Sequence, residues 1–155
     1  MSDIISYKQV VEQFEQIALS HMAVKQFQFG METDVDVQTD VHPFQRFPLV
    51  FLVPRLSSLD RFGRTVLGFS MIVADIAKDN VEDLQINRYN STFSIAQDLL
   101  SKIILTPWTE VDMFVETPIS LSPFQEAYNN NLTGWSAELD VIVKSPFNLC
   151  DAAFI

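Results

Sequence analysis

A chain of 155 residues with 20 acidic and 10 basic side chains, a formal net charge of −10, is one ordinary domain whose field repels nucleic acid at long range. Its 48% hydrophobic content and 13 phenylalanines exclude a disordered chain, and no apolar run approaches the roughly 18 residues that span a bilayer. The single cysteine, Cys150, rules out an internal disulfide, and with only His21 and His42 beside it the usual zinc site is short of ligands.

The first predicted helix runs from Ser6 to Met22. Tyr7, Val10, Val11, Phe14, Ile17 and Ala18 recur at spacings of three and four, which places them on one apolar stripe. Ser6 followed by Gln9 fits a capping box. Asp3, Lys8, Glu12 and Glu15 break any secretory leader, so synthesis in a cytoplasm is expected. Val24–Phe29 alternates, with Phe27 and Phe29 on one face and Gln26 and Gln28 on the other, a half-buried strand. Residues 31–41 set Asp34, Asp36 and Asp40 against Val35, Val37 and Val41, either extending that strand or forming an acidic arm.

Phe47–Val53, nearly all apolar between Pro43, Pro48 and Pro54, reads as a strand covered on both faces. A loop or hairpin turn follows over Leu56–Gly63. Arg64–Asp75 is a long strand with Leu67, Phe69, Met71 and Val73 on one face, and Gly68 in its middle marks a bulge or close packing. The second helix lies within Asn80–Leu105. Its stripe is Phe93, Ala96, Leu99, Leu100, Ile103 and Ile104, its cap is Ser91 or an earlier polar residue, and Pro107 stops it.

Val111–Thr117 and Ile119–Phe124 are shorter strands, and Asn129–Asn131 is a turn. Leu132–Lys144 is the clearest strand, with Trp135, Ala137, Leu139, Val141 and Val143 on one face and Ser136, Glu138 and Asp140 on the other. Residues 146–155 form a short apolar tail. The expected architecture is α+β: a single domain over 1–155, a mainly antiparallel β-sheet flanked on one face by two helices.

Chemistry is sparse along this pattern. Neither histidine sits beside a small nucleophile on a sharp turn, and His21 suits the C-terminal end of the first helix. Asp34, Asp36 and Asp40 fail the calcium-loop pattern, because Thr39 and Gln45 stand where glycine and glutamate are needed; charges that discourage edge pairing are the simpler reading. Four scattered glycines make no phosphate-cradling loop. The carboxylates Asp75, Asp79, Glu82 and Asp83 leave one alternative open, a small enzyme or ligand-binding domain. No catalytic, cofactor or metal residue is assigned.

Two features suggest a partner. Arg55, Arg61 and Arg64 are the only concentration of positive charge, suited to an acidic face of a neighbouring copy. The tail, with Phe147, Leu149, Phe154 and Ile155, packs on its own domain or on an adjacent subunit.

The run Gly134-Trp135-Ser136-Ala137-Glu138-Leu139-Asp140-Val141-Ile142-Val143, followed by Pro146-Phe147-Asn148-Leu149-Cys150, resembles the last strand and tail of bacteriophage tail-completion and tail-terminator-like proteins. Those of phages of Bacteroidota, including crAss-like phages, are the nearest in pattern. The strand Val66–Ala74, the acidic loop Asp75–Asp83 and the helix Thr92–Leu105 follow the same order. The resemblance implies a virion protein, a homo-oligomeric ring of six or twelve copies at the head–tail junction or tail end. It implies portal or connector and tail proteins as partners, no cofactor, no catalysis and no membrane. DNA would pass through the lumen without specific binding, and an acidic wall suits that passage. Ring closure needs heterologous contacts, for which Asp34, Asp36, Asp40, the arginine loop and the tail are the expected faces.

Overall fold

The computed structural model describes residues 6–30, 47–61, 63–76, 85–105, 113–127 and 132–144. Helix α1 spans Tyr7–Leu19. The capping box forms as expected: Gln9 N–H donates to Ser6 Oγ at 3.2 Å, and Ser6 N–H donates to Gln9 Oε1 at 2.7 Å. The helix stops at Leu19, three residues short of the expected Met22. His21 N–H bonds the Ala18 carbonyl at 3.2 Å, a tighter turn that ends the helical repeat. Val10, Phe14, Ile17 and Ala18 are buried, and Tyr7 stays half exposed at the start of the stripe.

Strand β1 is Gln26–Phe29, β2 is Leu49–Pro54, β3 is Ser58–Leu59 and β4 is Arg64–Ile76. Helix α2 covers Gln85–Leu105, and β5 (Met113–Val115), β6 (Leu121–Ala127) and β7 (Leu132–Lys144) complete the chain order. Among the described residues the sheet has seven strands, in the order β1-β2-β4-β7-β5, with β3 also on β4 and β6 also on β7. Its centre is the β4–β7 pair, antiparallel from Arg64↔Lys144 to Ile76↔Leu132. The sheet is mixed, because β1 runs parallel to β2 while every other pair is antiparallel.

Both helices pack on one face, as expected for α+β. Val10, Phe14 and Ile17 of α1 and Ile95, Leu99 and Ile103 of α2 share a core with Val50, Leu52, Phe69, Met71, Val73, Leu139 and Val141. Phe69 accepts Phe14 edge-on at 5.5 Å between ring centroids. Ala96, Leu99, Leu100 and Ile103 of the expected α2 stripe are buried, and Thr92 and Ile95 join them; Phe93 lies at the stripe's edge against Trp135, and Ile104 is exposed. Ser91 is not a cap: it lies inside the helix and its Oγ donates to the Asn87 carbonyl at 2.9 Å.

The opposite face of the sheet carries a second apolar cluster of Phe47, Leu49, Phe51, Val53, Ile72, Ala74 and Leu132. Strand β2 is therefore buried on both faces, as its unbroken apolar run implies. Gln28 registers with Phe51 on this side and is buried, whereas Phe29 is exposed beside Tyr7. The alternation in β1 is as expected: Phe27 packs against the helix-side core and Gln28 is buried on the opposite face.

Glycine marks two close approaches. A Cβ on Gly134 would run into the Val73 carbonyl oxygen, and one on Gly68 into the Leu56 carbonyl oxygen. The second accounts for the expected irregularity. Pro54 pairs with Phe69 and Ser58 with Val66, so residues 55–57 face only Leu67 and Gly68, a one-residue bulge.

Candidate functional site

The expected loop over Leu56–Gly63 is a structured hairpin containing β3. Asp60 closes it: its N–H donates to the Arg64 carbonyl at 2.9 Å, and its Oδ1 accepts the Arg64 N–H at 3.0 Å. Gly63 supplies the left-handed position of a three-residue loop, with φ 82°. At the hairpin base, Arg55 N–H donates to the Gly68 carbonyl at 2.8 Å and Gly68 N–H donates to Ser57 Oγ at 3.1 Å.

The three arginines of this segment do not act alike. Arg61 and Arg64 are exposed at the tip. Arg55 turns toward the sheet, where its Nε donates to Ser70 Oγ at 2.7 Å; Ser70 in turn donates to Glu138 Oε1 at 2.7 Å. This chain of bonds crosses from the end of β2 over β4 to β7 on the face away from the helices. Ser70 is fully buried, so its hydroxyl needs both partners. The arrangement fixes the hairpin base to the central strands.

Ser70 has its proton on a carboxylate and a lone pair on a guanidinium, and among the described residues no imidazole bonds to it. His21, the one histidine among the described residues, lies on the helical side of the sheet. Its Nε2 is 2.9 Å from Asp98 Oδ2, and its Nδ1 accepts the Ala23 N–H at 3.1 Å. With Nδ1 accepting the Ala23 N–H and Nε2 facing Asp98, both ring nitrogens are engaged within the fold. His21 therefore lies past the helix end rather than on its last turn, and it ties α1 to α2. One turn along α2 from Asp98, Lys102 Nζ donates to Ser20 Oγ at 2.7 Å.

On the other side of α2 an aromatic group joins the helix to β7. Trp135 meets Tyr89 at 5.9 Å and Phe93 at 5.1 Å, both edge to face. Arg88 Nη1 donates to the buried Thr133 Oγ1 at 3.1 Å.

Asp34, Asp36, Asp40, Phe147, Leu149, Phe154 and Ile155 lie outside the described residues, as do Asp79, Glu82 and Asp83. Asp75 accepts the N–H of its neighbour Ile76 through Oδ1 at 2.8 Å. Among the described residues no group of three or more His, Cys, Asp or Glu is placed to hold a metal ion, and no helix is long and apolar enough to cross a membrane.

Sequence reasoning missed two residues of the hairpin. Leu56 is 93% exposed and Leu59 62% exposed, large apolar side chains on the segment that also carries the arginines. The available signal was leucine inside a run of arginine and serine, where a purely solvated turn has no use for it. No protein-family model matches the sequence, and no curated protein matches it.

Proposed function

We propose that this chain is a structural subunit of a bacteriophage particle, not an enzyme. In this reading identical copies close into a ring of six or twelve at the head–tail junction or tail end, joining connector to tail in the virion after synthesis in the host cytoplasm. The reading begins with the resemblance of the last strand and the element order to tail-terminator-like proteins. The observation that carries it further is the work done by the Gly134–Trp135 pair on which that resemblance rests. Gly134 lets β7 close on the backbone of Val73, and Trp135 keys β7 to α2. The pair thus lies at the joint between the central strands and the second described helix.

Charge is consistent with the same role. A chain at −10 lining a lumen repels the DNA that passes through it and gives phosphates few cations to hold. Two described polar groups hold elements together: Ser70 between Arg55 and Glu138, and His21 between Ala23 and Asp98.

Light scattering of the purified protein at low and high concentration, followed by imaging, tests the proposal. Annular particles, or rings formed only with a portal or tail protein, are expected. A monomer at all concentrations with no affinity for any virion protein would overturn it.

A further inference from the structure

We infer that the β3–β4 hairpin is the element by which one copy of this chain docks onto a different, acidic face of the next, with Leu56 and Leu59 as its apolar anchors. This rests on the ring reading for its setting, and it adds Leu56 and Leu59 to the expected arginines. Leu56 is the more exposed of the two at 93%, with Leu59 at 62%. Both sit on a segment that ends in the exposed Arg61 and Arg64. An apolar centre rimmed by arginine is the make-up of an interface rather than of a solvated turn.

Charge selects the occupant. From Arg55 to Arg64 the hairpin holds three arginines against Asp60, a net of +2, which leaves −12 for the rest of a chain whose total is −10. A second copy is therefore, in net charge, an acidic partner outside its own hairpin. Two hairpins meeting across a twofold axis would set like charges together, so the contact joins unlike faces. Contacts of that kind close into rings or run on as filaments. The hairpin is also built in advance. Gly63, the paired Asp60–Arg64 bonds, the Ser57–Gly68 bond and the Arg55–Ser70 bond fix it from tip to base, which lowers the ordering cost of docking.

Sedimentation of the full chain over a range of concentration and salt tests this. Wild type is expected to self-associate more weakly as salt rises. Leu56→Ser with Leu59→Ser, and separately Arg61→Glu with Arg64→Glu, should each raise the dissociation constant by about tenfold or more. Circular dichroism unchanged from wild type should accompany the loss in both variants. A labelled hairpin variant keeps its acidic face, so it should still bind wild type and terminate growing assemblies. Variants that assemble like wild type would overturn the docking role and leave the ring reading standing. A hairpin variant that cannot bind wild type would overturn the heterologous contact. A wild type that stays monomeric throughout would overturn the inference, while rings imaged with a portal or tail protein would still decide the ring reading separately.

Discussion

The indole Nε1 of Trp135 donates to the Tyr89 backbone carbonyl at 3.1 Å, across the boundary between the last strand and the second helix. The carbonyl belongs to a residue of α2 whose ring also packs edge-on against the indole. One side chain thus supplies a hydrogen bond and two aromatic contacts. Trp135→Phe removes the bond and keeps most of the burial, and should cost about 1–2 kcal/mol. Trp135→Ala should cost about 3–5 kcal/mol. Urea denaturation followed by circular dichroism measures both, and equal costs for the two would refute the assigned bond.

Gly134→Ala places a methyl group against the carbonyl of Val73 on the central strand pair. Backbone on both sides leaves no flexible atom to yield, so a loss of about 1–3 kcal/mol or more is expected. Gly63→Ala, at φ 82° in the hairpin tip, should cost only about 1–2 kcal/mol. Thermal melts of the two variants should rank in that order.

Ser70→Ala removes the middle of the Arg55–Ser70–Glu138 chain and should cost about 1–3 kcal/mol, because Ser70 is buried and its partners lose their bond. Glu138 is exposed, and Glu138→Gln keeps an acceptor oxygen for the serine hydroxyl, so its cost should be smaller. Hydrogen exchange gives a second readout: the amides of Arg55 and Gly68 at the hairpin base should exchange faster in Ser70→Ala than in Glu138→Gln.

The coupling between His21 and Asp98 should be small. Their side chains are 19% and 66% exposed, so solvent screens the pair, and a double-mutant cycle should return about 0.2–1 kcal/mol. His21→Ala alone should cost more than Asp98→Ala, since it also leaves the Ala23 N–H without its acceptor.

Burial pushes the phenol of Tyr7 above its ordinary value of 10.0. The unfolded chain then loses this proton at lower pH than the folded one. The contribution is fully present below pH 10.0 and is lost as pH rises through the folded value. Tyr7→Phe should flatten the fall in stability above that pH. An unchanged alkaline slope in the variant would assign the loss to other groups.

Elements with local signals were legible in the chain alone. The Ser6–Gln9 capping box, the fully apolar β2 and the alternation of β7 from Leu132 to Lys144 are each specified by residues a few positions apart, through hydrogen-bond reach or a period of two. Gly68 was legible too, because a glycine weakens a strand interior and marks a place where the backbone must bulge or be closely approached. What depends on register and on neighbours distant in the chain emerged only with folding. The Gln28↔Phe51 pairing is what shows that Gln28 is buried, and the placement of α2 over β7 is what buries Thr92 and sets Phe93 at the edge against Trp135. The arginine cluster divides for the same reason. Arg55, Arg61 and Arg64 look equivalent along the chain, yet a one-residue bulge aims Arg55 at Ser70 and leaves Leu56 and Leu59 at the surface. Local chemistry names the residues available for a contact; strand pairing settles which of them remain exposed to make it.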